Sequence, residues 1–450
     1  MAEPRPRLIA AALGALLLAP SLGAQQGVDA APSPPVWAAP NLAWLRGQVT
    51  PNPIVPDPDP ARRRLLVSYE VAPEKLPHGY HRSYTYDNAL AALAFFVAGE
   101  DEAAAYTLHA LARLLRADGS LWFSYNTANG WPDEEYHQSA MVRAGAIGWA
   151  GYAFAYYLRR APACAAEDAG CARERRLFRR AAERLAGYLV SQQVSNPGDP
   201  RRGLIPLGYG TLRLRYRAET DQVVETYVDG PAVGISTENN ISAWFFLRDL
   251  SEVTGEARWR EAAGRIARGL LRATWSDELG QFSSGFHPWG ELDTTKALDC
   301  ASWGALFLQA IGETEKARHA LEAVEAYYAA QDGELRGYRP YFDYRVFKSR
   351  LVNAYFFPEE PGKQWRDLPL VWTEGSLGAA LAYLRLGQSE RARKIVSALR
   401  PLQTEDSGLR YASKEVPYQM SEAPSVASSA WLVLVTEALA GNPRAELFWQ

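Results

Sequence analysis

The sequence predicts an all-α fold in which six helical hairpins close into a double-walled toroid, with long loops at one mouth. Three observations carry that expectation. A local pattern recurs along the chain: an apolar run, a glycine, a polar residue, then an amphipathic run rich in Ala and Arg. The two helices of each pair differ in kind, the first apolar nearly all round and the second keeping one charged face. The composition is that of a folded globular chain, with 48% hydrophobic and 22% charged residues among 450.

The recurrences are Val97-Ala98-Gly99-Glu100, Val253-Thr254-Gly255-Glu256, Ala310-Ile311-Gly312-Glu313, Arg385-Leu386-Gly387-Gln388 and Leu439-Ala440-Gly441-Asn442. At each, Gly closes one helix in the left-handed conformation and the acidic or amide residue opens the next. A sixth turn falls in the cysteine-bearing loop Ala161–Arg173, between the runs Gln138–Leu158 and Glu174–Val190. The spacing, roughly 50 to 80 residues, is too irregular for a short-period solenoid. First members such as Ala89–Val97, Ala140–Tyr157, Ile241–Leu250, Ala301–Ile311, Leu377–Leu386 and Val426–Leu439 read as an inner buried ring. Second members such as Ala257–Leu271 and Thr314–Tyr328 read as an outer, half-wetted one. The sixth outer helix looks truncated, so either the last helix is short or the N-terminal arm covers the gap.

The N-terminus divides from this body. Residues 1–24 read as a secretory signal peptide: Arg5 and Arg7 precede the apolar stretch Leu8–Ala19, and small residues follow at Ser21, Gly23 and Ala24. That stretch falls short of the ~20 apolar residues that span a bilayer, although an uncleaved anchor is the alternative. No later segment offers a span. Residues 25–70 are a Pro-rich arm or linker, with the run Val55-Pro56-Asp57-Pro58-Asp59-Pro60 excluding helix and central strand. Residues 71–450 make the toroid. Cys164 and Cys171, seven apart, are expected to form a disulfide, and Cys300 a buried free thiol, which suits a periplasmic or secreted protein.

Several functions are excluded. The net charge of −3, from 48 Lys and Arg against 51 Asp and Glu, gives no basic footprint for nucleic acid. Three Cys and six His show no metal-ligand spacing, and no phosphate loop, dinucleotide fingerprint or nucleophile elbow is present, so neither metal nor cofactor is expected.

The segments Tyr86-Asp87-Asn88-Ala89-Leu90, Ser236-Thr237-Glu238-Asn239-Asn240, Leu298-Asp299-Cys300-Ala301-Ser302-Trp303-Gly304 and Trp372-Thr373-Glu374-Gly375-Ser376 stand at equivalent places, where loops enter inner helices. With the six hairpins, they resemble the (α/α)6 toroid of the six-hairpin glycosidase-like superfamily, from about Tyr84 to Gln450. The resemblance implies hydrolysis of a poly- or oligosaccharide by a carboxylate pair, most such toroid hydrolases inverting. One carboxyl protonates the leaving oxygen while the other activates water or attacks.

The candidates are Asp87, Glu238, Asp299 and Glu374, each equally placed to favour its own helix N-terminus. Glu374, between Trp372 and Gly375, is the choice for general acid, because apolar flanks raise a carboxyl pKa. Asp87 is the choice for base, with Glu238 a substitute for either. Candidate sugar contacts are Tyr86, Asn88, Trp122, Trp131, Asn239, Trp289, Trp303, Tyr341 and Trp372, drawn from the aromatic-rich loops and helix starts. Arg339, Arg345, Lys348 and Arg350 lie among them and suit either an anionic sugar or plain solvation. His137 and His287 keep open an epimerase or a lyase on the same fold. The rival from another class is a non-catalytic glycan-binding or assembly factor working with polysaccharide-export machinery.

Overall fold

The computed structural model describes residues 35–51, 64–72, 81–127 and 140–450. The expected signal peptide, Trp131 and His137 lie outside them. Thirteen α-helices stand among the described residues: α1 (Asn41–Gly47), α2 (Thr85–Val97), α3 (Asp101–Arg113), α4 (Ala144–Arg160), α5 (Ala169–Ser191), α6 (Thr237–Thr254), α7 (Ala257–Ala273), α8 (Leu298–Ala310), α9 (Thr314–Ala323), α10 (Arg350–Phe356), α11 (Thr373–Arg385), α12 (Ser389–Ala398) and α13 (Val426–Leu439).

Six of them, α2, α4, α6, α8, α11 and α13, pack side by side in that order, and α13 returns to α2. This is the inner ring. Its members are buried on nearly every face, as α2 shows with only Tyr86 of its 13 residues half-exposed. Helices α3, α5, α7, α9 and α12 each back onto the inner helix that precedes them. The hairpin turns follow the recurring pattern: their five glycines all take positive φ, from 72° at Gly441 to 87° at Gly99, a conformation that costs other residues strain. In the sixth turn Cys164 and Cys171 are disulfide-bonded, and Cys300 is buried and free.

Of the two ways of closing the last hairpin, the covering arm is used, and no helix follows α13 among the described residues. From the N-terminal arm, α1 packs on α13. After α13 the chain turns under the ring, where Phe448 and Trp449 are buried. The Trp449 indole stacks on Trp149 at 4.7 Å and on Phe245 at 4.6 Å, and meets Trp303 edge-on at 4.9 Å. The barrel axis is therefore packed with aromatic rings.

Short strands join the helices: β1 (Val49–Pro51), β2 (Arg64–Leu66), β3 (Arg82–Tyr84), β4 (Ser124–Asn126), β5 (Val142–Arg143), β6 (Pro206–Arg217), β7 (Gln222–Ser236), β8 (Trp275–Ser276), β9 (Gln281–Phe282), β10 (Gly285–Phe286), β11 (Leu292–Asp293), β12 (Ala329–Asp332) and β13 (Leu335–Tyr338). Five of them make an antiparallel sheet in the order β11-β10-β7-β6-β5. Its long hairpin, β6–β7, is the one large element that the helical periodicity did not announce. It rises from the start of α6 and leans on α10, with Tyr216 against Tyr355 at 5.7 Å. Among the described residues no helix is long and apolar enough to cross a membrane.

Candidate active site

Each inner helix begins at the same end of the ring, so six first turns converge on one mouth. Strands or bridged segments deliver the chain there in extended conformation: Tyr84, Arg143, Ser236, Ala297, Trp372 and Ser425, the residues before α2, α4, α6, α8, α11 and α13, are all in the β region. Where the cap is Ser, at Ser236 and Ser425, its hydroxyl accepts an amide of the first turn. The acidic residue of the α6 first turn is thus relieved of capping.

The four sequence-predicted carboxylates all stand at this mouth. Asp87 and Glu374 are deep, 4% and 6% exposed, whereas Glu238 and Asp299 are half-buried. They are close enough to feel one another: Asp299 senses Glu238 and Glu374, and Glu374 senses Asp87 and Glu238. Burial raises every one of them, since the charged form loses hydration. Asp87 is pushed up to about 7, a hydrogen bond from Ser68 offsetting part of the rise. Glu374 is pushed up to about 8, the charge of Asp87 adding to burial and hydrogen bonds from Tyr86 and Tyr411 opposing it. Burial pushes Glu238 up to about 7 and holds Asp299 well above the usual carboxylate range, the charges of Glu238 and Glu374 adding to the rise at Asp299. Asp299 Oδ1 is shielded and has no hydrogen-bond partner among the described residues, as suits a carboxyl that keeps its proton.

Glu374 is the best-held of the four. The Tyr86 hydroxyl donates to its Oε1 and itself accepts from Trp431 Nε1 at 3.0 Å. Gly375 lets the Trp372 ring lie against the helix start, since a Cβ there would stand 2.2 Å from that ring. Behind Asp87 and Glu374, Tyr69 meets Tyr84 at 6.3 Å and Tyr411 at 5.8 Å.

The other expected contacts divide. Tyr86 and Tyr341 face the carboxylates, Tyr341 feeling Glu238 and Asp299, while Trp372 is buried against Tyr411 at 6.2 Å. Asn239 lies across Gly145 of α4, whose Cβ would meet its Oδ1 at 2.2 Å. Asn88 is fully buried and spent on structure: its Oδ1 accepts from Leu66 N at 2.9 Å, and its Nδ2 donates to Ser83 and Tyr84. Trp303 is 2% exposed, within the axial aromatic stack. Trp122 is half-buried under the Arg116 guanidinium, 3.8 Å from its ring centre. Trp289 is 71% exposed on the β10–β11 turn, stacked on His287 at 4.5 Å. Sequence reasoning missed Ser68, Tyr69, Tyr84, Tyr411 and Trp431. The first two come from the segment read as a linker arm, and Trp431 looked like one more apolar residue of α13.

The hairpin β6–β7 carries a further acid. Glu225 pairs across the ladder with Leu214 and shares a face with Tyr216 and Tyr227. Its charge reaches both Tyr84, before α2, and Tyr418, before α13. Since α13 stands opposite α6 in the ring, the hairpin bridges the mouth from one wall to the other.

No family model and no curated protein matches the chain. Solved structures do. A glycosidase in complex with glucose matches 90% of this chain and 96% of its own, at 10% identity and a TM-score of 0.54. A mannosylglycerate hydrolase of glycoside hydrolase family 63 from Thermus thermophilus matches 89% of this chain and 99% of its own, at 14% identity and a TM-score of 0.55. A D-mannose isomerase matches 89% and 95%, at 10% identity and a TM-score of 0.55. The fold is an (α/α)6 toroid of helical hairpins, as in these solved structures. At these identities the six-hairpin likeness establishes architecture, and the chemistry has to be argued from the mouth.

Proposed function

We propose that this chain is an exported glycoside hydrolase acting on a poly- or oligosaccharide, with Glu374 as general acid. The observation that carries the reading is the environment of Glu374: a carboxyl pushed up to about 8 stays protonated at neutral pH, and Tyr86 fixes its orientation. The hydrolytic partner is Glu238. It is half-buried and so meets water, which Asp87 at 4% exposure hardly does. Asp87 then acts through its charge, holding Glu374 in the protonated form.

In the ring α8 stands between α6 and α11. Glu374 and Glu238 thus come from helices two apart, and inversion would need their carboxyls about 6.5–9.5 Å apart, with a water on the far face of the sugar. The solved structures similar to this chain are mostly glycosidases, which supports the same class. An epimerase draws less support, because none of the six inner helices carries a His in its first turn. The half-buried His287 sits on the β10–β11 turn beside Asp293, at 3.7 Å. The disulfide suits an oxidising compartment.

The test is incubation with neutral and acidic polysaccharides in 18O-labelled water. Products that gain one labelled oxygen, and that disappear with Glu374→Gln and with Glu238→Gln, are expected. Proton NMR of the first-formed product should show the anomer opposite to the substrate's. Unsaturated products without label would overturn the hydrolase in favour of a lyase.

A further inference from the structure

A cavity of about 1360 Å³ lies outside the mouth, in the outer wall. It opens between the end of α9 and α12, under the β12–β13 hairpin and the 366–369 segment, and reaches down to the α11–α12 turn. None of the four mouth carboxylates lines it. Its walls carry five cations, Arg336, Arg339, Arg366, Arg391 and Lys394, against three acids, Glu325, Asp367 and Glu390.

The acids are already engaged. Glu325 Oε1 accepts from the hydroxyls of Tyr338 and Tyr383 and pairs with Arg391 at 2.5 Å. Asp367 Oδ2 accepts from the amide of Gln364 at 2.9 Å. The cations are less so. Arg339 donates to two carbonyls, of Arg366 and Ala329, and burial lowers its pKa, which Asp367 opposes. Lys394 reaches Glu390 and Arg366 reaches Asp367, each at 3.9 Å only, Arg366 also lying over the Phe342 ring, and Arg336 is exposed. The groove therefore presents net positive charge. Between the cations stand Gln331, Gln388 and Ser389, neutral donors and acceptors of the kind that suit hydroxyl groups.

Two features favour a glycan over a peptide. At Tyr338 the outer edge of β13 is taken: its amide donates to Ser376 Oγ at 2.9 Å and its carbonyl accepts from Trp372 at 2.8 Å, so a peptide cannot add there as a strand. The strand that lines the groove also leads to the mouth. Strand β13 runs on through Arg339 and Pro340 to Tyr341, which faces Glu238 and Asp299, and the five steps from Arg336 span about 17 Å of extended chain.

We propose that this outer groove is a non-catalytic binding site for an acidic oligosaccharide, whose uronate carboxylates meet Arg336, Arg339, Arg366 and Lys394. The site goes beyond the hydrolase reading and does not depend on it. Titration calorimetry of the whole protein with tetragalacturonate, with neutral maltotetraose and with a tetraglutamate peptide decides the matter. Tetragalacturonate is expected to bind at least tenfold more tightly than the other two, and to weaken as salt is raised. The double variant Arg336→Glu/Lys394→Glu, altered only at exposed side chains, should lose tenfold or more in affinity. Gln388→Trp, which fills the groove without changing charge, should lose binding too. The proposal is overturned by absence of tetragalacturonate binding, by equal binding of the neutral sugar or of the peptide, or by binding that both variants leave intact.

Discussion

Two influences compete for the proton of Glu374: burial and the charge of Asp87 hold it on, while the hydroxyls of Tyr86 and Tyr411 stabilise the carboxylate. Tyr86 is placed for this by its second bond, the one it accepts from Trp431, so its hydroxyl points its own proton at Oε1. Tyr86→Phe removes a donor that favours the charged form, and the Glu374 pKa should rise by about one unit. An acid must be protonated to act, so the alkaline limb of the kcat/KM profile, near pH 8 in the parent, should move upward. Turnover at pH 7 should fall, because the carboxyl loses its orientation. An unmoved limb in the pH–rate profile would show that Tyr86 does not touch the acid. The sequence made the four carboxylates and Tyr86 legible, because a residue in the first turn of an inner helix needs only the hairpin pattern to be placed. Trp431 and Tyr411 were not, since they reach the mouth by tertiary packing, Trp431 from 345 residues away.

Helices α4 and α6 approach closely because α4 presents glycine where α6 presents bulk. A Cβ at Gly151 would stand 2.2 Å from the fully buried Phe246 ring, and one at Gly148 3.0 Å from the Ala243 amide. Exposed Gly187 in α5 has open space instead. Helix propensity alone favours Ala at both sites by about 1 kcal/mol. Packing reverses the sign at one: Gly151→Ala should destabilise by about 1–3 kcal/mol as the ring is displaced, while Gly187→Ala should stabilise by about 0.5–1 kcal/mol. Urea melts of the two variants measure both, and a Gly151→Ala protein as stable as the parent would mean the α4–α6 seam has slack. The inner helices themselves were readable from apolar runs, but α4 starts at Ala144 and not at Ala140. Val142 and Arg143 are drawn into β5, where Val142 pairs with Tyr209 and Arg143 with Gly208. The alternation Leu212-Arg213-Leu214-Arg215-Tyr216-Arg217 has the period of a strand, yet its apolar face finds burial only against α10 and the core below, a partner that local sequence does not name.

Closing the ring is what dries the carboxylates. With α1 covering α13, and Phe448 and Trp449 filling the axis from below, the mouth is the end from which water reaches Glu238. The sequence left the sixth hairpin open between a short helix and a covering arm, because a gap in a periodic pattern does not say which distant segment fills it. The dryness has a thermodynamic consequence for the whole molecule. In the unfolded chain carboxyls titrate near ~4, whereas Asp87 and Glu374 do so at about 7 and about 8 in the folded one. Between those limits the native state binds more protons than the unfolded state, so folding stability falls as pH rises. The loss is absent below the unfolded pKa and complete above the folded one. Glu374→Gln supplies a neutral side chain of the same shape and should therefore raise Tm relative to the parent at pH 8.5, with little difference at pH 4. Scanning calorimetry of both proteins at the two values reads the sign directly. A Tm difference that is equal at both would mean that the folded protein holds Glu374 ionised, and the assignment of Glu374 as general acid would fall with it. The expected gain comes at the cost of turnover, as when a site keeps a strained group for its chemistry.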